Sequence, residues 1–203
     1  MNNKKIYPNV EVGENVTIED YCVIGKPPKG KEPGELKTII GDNVTIRSNT
    51  VIYAGNQIGN NFQTGHHVML REKNKIGDNV SIGTGSCIEH NIVIENGVRL
   101  HSQVFIPEYS ELKEGCWVGP NVVVTNAKYP KSSNVKENLD GAIIKQNAKI
   151  GANATLLPNI VIGENALVGS GTVVVNDVES NKVVVGNPGE VINNISNINE
   201  YKS

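Results

Sequence analysis

An apolar residue recurs at every sixth position through the middle of this chain. From Ile40 to Val124 every sixth residue is apolar, and Thr64 is the one exception. An α-helix repeats about every 3.6 residues and a strand repeats every two, so neither alone produces this period. A short, regular repeat of this kind predicts a solenoid, in which successive turns stack to form one continuous core.

Each six-residue unit divides into a short strand and a corner. Glycine often follows the apolar residue, as at Gly41 and Gly77, and Asp or Asn commonly follows within two residues. These residue types tolerate the backbone that a sharp corner requires. A small or β-branched residue comes four positions after the apolar one, as at Val44. We therefore expect two inward side chains per unit, alternating with outward ones.

The register extends to both ends of the chain but is interrupted twice. Residues 25–39 are rich in Pro, Gly and Lys, and residues 126–143 are polar, so both segments are predicted to be surface loops. The pattern fades after Val174. We predict one domain over residues 1–190, containing these two loops, and a C-terminal tail over residues 191–203 with a short cap of one helical turn or more.

The six-residue units resemble the hexapeptide repeat of left-handed parallel β-helices, which are triangular in section with three units per coil. The resemblance implies an all-β fold: a left-handed parallel β-helix of hexapeptide repeats with two loop excursions and a short C-terminal cap. Proteins with this repeat are homotrimers with active sites between subunits. A homotrimer is therefore expected here as well.

Composition excludes several classes of partner. The net charge is −2 and the isoelectric point is about 6.1, so no basic stripe for nucleic acid is expected. No apolar run is long enough for a membrane span, and Met1 leads into polar residues rather than a signal peptide. These observations predict a cytoplasmic protein. Three cysteines without a CxxC pair argue against a disulfide framework and against zinc.

If three units form a coil, residues 18 apart lie above one another. Glu72, His90, Glu108 and Asn126 then form a ladder at one corner, with coils about 4.8 Å apart. Neighbouring carboxylates favour a protonated histidine and orient its ring, as a general base requires. The loop over residues 126–143 leaves the helix at the top of this ladder. The alternative is a solvated corner without a catalytic role.

The other histidines lie at a second corner. His66 aligns with Thr84 and Ser102, and His101 is one position away from that column. This column is either a substrate edge or a solvated corner. The β-helical carbonic anhydrases bind zinc through an H-x4-H pair and a third histidine two coils away. No H-x4-H occurs here, so no metal is expected.

The segment IGANATLLPNIVIGENALVGSGTVVVNDV, followed by VVVGNPGEVI, resembles the C-terminal signature of hexapeptide acyltransferases that use acetyl-CoA. The resemblance implies acetyl-CoA as co-substrate, with its pantetheine arm against a glycine-rich face. A side chain on that face would block its approach, and a scaffold would have no need for glycine there. The implied cofactor-binding residues are Gly151, Asn153, Gly169, Ser170, Gly171, Lys182, Asn187 and Pro188.

The middle of the chain resembles the acyltransferases that N-acetylate amino sugars on nucleotide carriers. The segment CIEHNIVIENG is similar to their VEHDCVIGD stretch, which implies His90 as general base with Glu108 in support. In the diamino-uronate branch no protein base is assigned, which leaves His101 and Gln103 as groups that position the acceptor. His66 remains an alternative base.

Further substrate contacts are expected from charged and polar residues near these columns. Arg47 and Arg71, with the lysine-rich first loop, are candidates for binding a diphosphate. The maltose and galactoside O-acetyltransferases carry a histidine where this chain has Lys128 and Tyr129. That difference argues against a hydroxyl acceptor, because a hydroxyl needs a base more than an amine does. Glu72, Asn126 and Tyr129 complete the expected substrate side.

The sequence thus predicts an acetyl-CoA-dependent N-acyltransferase whose acceptor is a small amine, foremost a nucleotide-linked amino sugar. Two alternatives remain at this stage. One is an O-acetyltransferase of a sugar or serine-like acceptor. The other is a non-catalytic solenoid scaffold, which would bind no CoA.

Overall fold

The chain folds into a stack of short parallel strands. The structure is a computed structural model that describes residues 3–201, and its strands are two to five residues long. In chain order they are β1 (Lys5–Ile6), β2 (Val10–Val12), β3 (Thr17–Ile18), β4 (Val23–Lys26), β5 (Thr38–Ile40), β6 (Thr45–Ile46), β7 (Val51–Tyr53), β8 (Gln57–Ile58), β9 (Gln63–Thr64), β10 (Met69–Leu70), β11 (Lys75–Ile76), β12 (Ser81–Ile82), β13 (Cys87–Ile88), β14 (Val93–Ile94), β15 (Arg99–Leu100), β16 (Phe105–Ile106), β17 (Glu111–Leu112), β18 (Trp117–Val118), β19 (Val123–Val124), β20 (Ile143–Ile144), β21 (Lys149–Ile150), β22 (Thr155–Leu156), β23 (Val161–Ile162), β24 (Leu167–Val168), β25 (Val173–Val174), β26 (Lys182–Val185) and β27 (Glu190–Asn194).

Three sheets form the sides of a prism. Face A contains β1 and every third strand to β25, face B runs likewise from β2 to β23, and face C runs from β3 to β24 and continues through β26 and β27. Each strand pairs in parallel with the strand one coil away, for example Leu70 with Ile88 and Ile88 with Ile106. The predicted left-handed parallel β-helix of hexapeptide repeats is therefore confirmed.

Apolar burial along the axis explains the six-residue period. From β6 to β25 the second residue of each strand points inward, and Ile52, Leu70, Ile88 and Ile106 on face A are all almost fully buried. The chain then turns through four residues to the next face. We name these turns by the face they follow: corner A joins face A to face B, corner B joins B to C, and corner C joins C to A.

The third residue of a corner adopts a left-handed backbone. Asn43, Asn61 and Asn79 at corner B have φ of 57°, 56° and 58°. Asparagine tolerates this conformation better than most residues, which explains why Asn recurs at this position in the repeat. The predicted corner chemistry is therefore seen directly in the backbone.

The two excursions are shorter or shifted relative to the predicted loops. They cover residues 27–37 and 125–142, rather than 25–39 and 126–143. Lys26 and Thr38 belong to strands that pair with neighbouring coils, and so does Ile143. The second excursion contains a 3-10 turn at Val135–Glu137. Both loops leave the prism at corner A.

The C-terminal cap is a hairpin rather than a helix. Strands β26 and β27 pair antiparallel and extend face C, so the predicted start of the tail at residue 191 lies inside a strand. Two 3-10 turns follow, at Ile195–Asn197 and Asn199–Tyr201. The last residues of the predicted tail, 202–203, lie outside the described residues. Within residues 3–201, no helix has the length and apolar character needed to cross a bilayer.

Thr64 interrupts the apolar series because its side-chain hydroxyl accepts a hydrogen bond that a backbone carbonyl would otherwise accept. At other coils the first corner residue donates its N–H to the inward residue one coil above, as Gly65 N does to Ile82 O at 2.7 Å. Arg47 N instead donates to the Thr64 hydroxyl at 2.9 Å, and the Arg47 guanidinium donates to Thr64 O at 2.6 Å. Thr64 is buried, so its hydroxyl satisfies a shielded backbone donor.

We predict that Thr64→Val destabilises the protein although the two side chains have the same shape. The substitution leaves the Arg47 N–H without its acceptor, at a cost of about 1–3 kcal/mol in the free energy of unfolding. Urea denaturation measures it. Thr45→Val, on the outward side of β6, is the matched control and should stay within about 0.5 kcal/mol of the parent. Equal stability of Thr64→Val and the parent would contradict this interpretation.

Candidate functional site

The ladder predicted at corner A is present in the structure. His90 Nε2 lies 3.5 Å from Glu108 Oε1, and Asn126 Nδ2 donates to Glu108 Oε2 at 2.8 Å. The His90 and Glu108 side chains are about one quarter exposed, so they are shielded yet reachable from solvent. Corner A therefore holds a histidine paired with a carboxylate, and the second oxygen of that carboxylate is hydrogen-bonded to Asn126 of the next coil.

The hydrogen bonds of His90 determine which ring nitrogen carries the proton. Asn91 Nδ2 lies 2.9 Å from His90 Nδ1, and since an amide nitrogen only donates, Nδ1 is the acceptor. The proton of the neutral ring is then on Nε2, the nitrogen that faces Glu108. The edge of the Tyr109 ring lies near, with ring centroids 6.2 Å apart. This arrangement leaves the Nδ1 lone pair as the basic position.

Asn126 connects the ladder to the second excursion. It is half-buried at the point where the chain leaves corner A, and its carbonyl accepts a hydrogen bond from Asp140 N at 3.0 Å, which closes the neck of the loop. Tyr129 lies farther along the loop and is highly exposed, with Lys128 Nζ 5.8 Å from its ring. The loop thus orients Glu108 through Asn126, whereas Tyr129 does not contact the ladder.

Arg71 changes the lower end of the ladder. It donates two hydrogen bonds to Glu72, at 2.9 and 3.0 Å, and a third to Glu89 at 3.2 Å. Partial burial is the largest single influence and raises the pKa of Glu72, but the Arg71 hydrogen bonds, a backbone hydrogen bond and the charges of Arg71 and His90 together hold the pKa of this carboxyl below its usual value. His90 is therefore not balanced between two free carboxylates. Because Arg71 already donates hydrogen bonds to both Glu72 and Glu89, its expected role in binding a diphosphate is disfavoured.

The second polar column lies at corner C of the same chain. His66 N donates to Thr84 Oγ1 at 3.2 Å, and His66 Nδ1 lies 3.9 Å from Glu19 Oε2. Gln103 is exposed and has a left-handed backbone, with φ of 61°. A single chain therefore separates His90 at corner A from His66 and Gln103 at corner C, and does not bring the predicted catalytic histidines together.

His101 occupies an unusual position in corner C. The equivalent residues in the neighbouring coils are Gly83 and Gly119. The His101 ring packs against Trp117 with centroids 4.6 Å apart, and its Nε2 is shielded from solvent without a hydrogen-bond partner. Burial, and then the charge of Arg99, lower the pKa of His101. A neutral imidazole with a free polar atom therefore stands beside the only tryptophan of the chain.

The glycines of the predicted cofactor face have a structural reason of their own. A Cβ at Gly151 would lie 2.5 Å from Ser170 N in the next coil, and one at Gly169 would lie 2.7 Å from a methyl group of Val185. Gly171 faces open space and has φ of +72°. The argument that a scaffold would not need glycine on this face is therefore wrong, because the coil spacing requires it at these corners.

The remaining residues of the predicted cofactor set lie at the C-terminal end of the prism. Asn153 and Ser170 are exposed at corner C, Lys182 is half-buried in β26, and Asn187 and Pro188 are exposed in the turn between β26 and β27. The Asn187–Pro188 peptide bond is cis. The cofactor set thus follows one edge of the molecule, on the upper coils above His101.

Face A carries an apolar strip that sequence analysis did not single out. The outward residues of its strands pair coil by coil from Val23 to Val123. They are half-buried or exposed: Val23, Val51, Met69, Cys87, Phe105 and Val123. Corner C lies on one side of this strip and corner A on the other. Sorting the outward positions by face, at a spacing of 18 residues, would have revealed it.

Comparison with known proteins agrees with this architecture. Residues 141–176 match the family model described as "Bacterial transferase hexapeptide (six repeats)". These residues carry the hexapeptide repeat that the family model describes. The sequence-based resemblance to hexapeptide-repeat acyltransferases is confirmed by this match and by the relatives that follow.

The proteins similar to this chain include curated relatives and solved structures. It is 27% identical over 191 residues to the bifunctional protein GlmU of Clostridioides difficile, which covers 94% of the chain and 38% of that protein. It is 29% identical over 192 residues to GlmU of Carboxydothermus hydrogenoformans, covering 90% and 41%. The chain thus spans about two fifths of the length of these curated relatives.

A solved structure shows the same fold over nearly the whole chain. The UDP-N-acetylglucosamine acyltransferase LpxA of Bacteroides fragilis superposes with a TM-score of 0.55 at 18% identity. The superposition covers 99% of this chain and 77% of that one. Within residues 3–201 of the present structure, no three His, Cys, Asp or Glu side chains cluster as a metal site would require.

We predict that Cys87, on the apolar strip, reacts slowly with thiol reagents. Burial, and then the Glu89 carboxylate, raise the pKa of this thiol from 9.0 to about 11. Two pKa units lower the thiolate fraction near pH 8 by about a hundredfold, and the thiolate is the reactive species. Iodoacetamide labelling with mass spectrometry should therefore be about a hundredfold slower at Cys87 in native than in urea-unfolded protein. Equal rates in the two states would contradict the prediction.

Proposed function

We propose that this protein is an acetyl-CoA-dependent N-acetyltransferase that acts on the amine of a nucleotide-linked amino sugar. The observation that carries the proposal is the contact between His90 Nε2 and Glu108 at 3.5 Å, with Glu108 fixed by Asn126. The resemblance to hexapeptide acyltransferases supports the donor. The resemblance of CIEHNIVIENG to the amino-sugar branch, with the similarity of fold to a UDP-N-acetylglucosamine acyltransferase, supports a sugar acceptor.

The proposed reaction is a direct transfer. The acceptor amine attacks the thioester carbonyl of acetyl-CoA, the C–S bond breaks, and an acetamide and the CoA thiol are formed. His90 Nδ1 gives up its hydrogen bond from Asn91, takes the proton that the amine loses and passes it to the departing sulfur. Glu108 faces the Nε2–H and stabilises the imidazolium that forms in between. Holding the amine and the thioester together supplies much of the rate.

The apolar strip on face A supports assembly into a trimer. If three copies turn face A toward a common axis, corner A of one copy lies beside corner C of the next, because these corners flank the strip. His90 belongs to the same coil as Gly83 and Thr84 of corner C. Rotation about the axis without translation then brings His90 of one copy to the height of Thr84 of its neighbour, with His66 one coil below Thr84 and His101 one coil above it.

This arrangement joins the two sets of predicted residues that one chain keeps apart. The cofactor set begins two to three coils above His90 at Gly151 and continues upward through Gly169 to Asn187. At about 4.8 Å per coil, the distance suits an extended pantetheine arm with its thioester at His90. Acetyl-CoA would lie along the junction between corner A of one copy and corner C of the next.

The same histidine and carboxylate favour one other reaction. A general base held in place by Glu108 can remove a proton from a hydroxyl as well as from an amine. O-acetylation of a sugar is therefore the second candidate. The two candidates differ in their need for His90. Loss of the base should abolish attack by a hydroxyl, whereas a neutral amine retains part of its reactivity.

The test is acetyl transfer to a panel of acceptors. Calorimetry with acetyl-CoA is followed by release of free thiol in the presence of nucleotide-linked amino sugars and of their hydroxyl analogues. Binding of acetyl-CoA with thiol release on an amino sugar alone is the expected result. Thiol release on the hydroxyl analogue alone would establish the O-acetyltransferase. Absence of acetyl-CoA binding would overturn both and favour a scaffold.

We predict that His90→Ala lowers kcat about 10²–10⁴-fold while the affinity for acetyl-CoA stays within twofold, because a general base contributes on this scale. Steady-state kinetics and calorimetry provide the two values. Asp78→Asn is the control: it lies at corner B, where Asn60 and Asn96 occupy the equivalent positions, and should leave both values unchanged. Turnover at the parental rate in His90→Ala would refute the assignment of the base.

A further inference from the structure

Face C carries a cationic pocket beside corner C. It has a volume of about 330 Å³, and its basic side chains are Arg47, His66, Arg99 and His101. Arg47 is anchored through its bond to Thr64 O. Arg99 is exposed and, among the described residues, its guanidinium has no hydrogen-bond partner. The Glu19 carboxylate, which lies near His66 at corner C, accepts hydrogen bonds from Ser48 N and Oγ.

An apolar pocket lies directly above it on the same face. Trp117, Leu167 and Tyr201 line a space of about 440 Å³, together with Lys149. The Lys149 ammonium lies 5.0 Å from the centre of the Tyr201 ring, in cation–π contact. Two aromatic rings of this kind offer stacking surfaces to a planar heterocycle.

His101 connects the two pockets. It lines the cationic pocket, and its ring packs on Trp117, which lines the apolar one. Arg99 and Trp117 are paired residues of adjacent strands, so they stand about 4.8 Å apart along the axis. Among residues 3–201, the shielded Nε2 of His101 has no hydrogen-bond partner. A polar atom left free at this junction is a position that a ligand can complete.

We propose that face C binds a nucleoside diphosphate, with the base against Trp117 and Tyr201 and the diphosphate on Arg99 and His101. The inference rests on the order of three groups down face C. An aromatic pocket, an imidazole nitrogen without a hydrogen-bond partner and a guanidinium follow one another within about two coils, or roughly 10 Å. Arginine binds phosphate oxygens with two parallel hydrogen bonds. Stacking of the base on an aromatic ring adds affinity whichever base the nucleotide carries.

The direction of the ligand follows from the same order. With its base at the upper coils and its phosphates at Arg99, the rest of the molecule points down toward Thr84 and His66. This part of corner C lies in the coils that the proposed trimer sets beside His90 of the neighbouring copy. The inference therefore rests on the proposed function when it identifies the nucleotide as the carrier of the amino sugar.

A nucleoside diphosphate can come from either substrate. The carrier of the acceptor is one source, and the adenosine diphosphate portion of CoA is the other. Both present a planar base and phosphate groups to the same pockets, and adenosine 3′,5′-diphosphate carries the base and the 3′- and first 5′-phosphates of CoA. Separate titrations with UDP, GDP, dTDP and adenosine 3′,5′-diphosphate distinguish them.

Trp117 provides a direct readout, since it is the single tryptophan of the chain. A base that stacks on its ring should quench its fluorescence in a saturable way. We expect one of the carrier nucleotides to quench at lower concentration than adenosine 3′,5′-diphosphate. Arg99→Gln should raise the Kd of that nucleotide about tenfold or more, as expected for loss of a charge-assisted contact. Lys75→Gln, which removes an equally exposed charge from face B, should leave the Kd unchanged.

The outcomes separate this inference from the proposed function. Absence of saturable quenching by every nucleotide, or an unchanged Kd in Arg99→Gln, overturns the face C site even if acetyl transfer proceeds. Tightest binding by adenosine 3′,5′-diphosphate, weakened in Arg99→Gln, assigns the site to CoA and overturns the carrier assignment. Quenching by a carrier nucleotide that Arg99→Gln weakens, without acetyl transfer to any acceptor, retains the site and rejects the proposed activity.

Discussion

The structure depends on one interaction, the backbone hydrogen bond from each coil to the next. On all three faces the strands pair in parallel with their equivalents one coil away, so equivalent residues stand above one another. A slip of one residue would turn every inward side chain to solvent. Because the register is fixed in this way, the same inward position recurs every six residues, and an apolar residue is required there. The fixed register also arranges the outward residues into columns, and every candidate site in the molecule is a column or a pair of columns.

Columns explain how residues far apart in sequence act together. Glu108 and Asn126 hydrogen-bond because they are 18 residues apart at corner A, and His90 lies one coil below them. The same spacing places His101 among glycines, where its ring reaches Trp117. Columns on different corners of one prism do not meet. A site built from corner A and corner C therefore needs a second copy, and in the proposed trimer the apolar strip on face A is the contact surface.

The six-residue spacing alone predicted a solenoid, and the resemblance to left-handed β-helices supplied the three units per coil that place the ladder. The hydrogen bonds between Arg71 and Glu72 were not predicted, because these residues are adjacent in sequence and the predicted ladder was built only from residues 18 apart. The role of Gly151 was misjudged for a different reason. Contact with the backbone of the next coil is a property of the corner geometry, and the repeat pattern does not contain that distance. The antiparallel cap escaped prediction because β26 and β27 have left the six-residue register.

The central claim is that the site joins His90 of one copy to corner C of the next. Co-expression of His90→Ala with Thr84→Tyr tests it most directly, because Thr84 is exposed at corner C in the coil of His90. Each variant alone should be inactive. Equimolar mixing within a trimer should restore about a quarter of the parental activity, the fraction of interfaces with both halves intact, while sedimentation confirms that the assembly persists. A mixture as inactive as either variant, or full activity of Thr84→Tyr alone, would contradict the account.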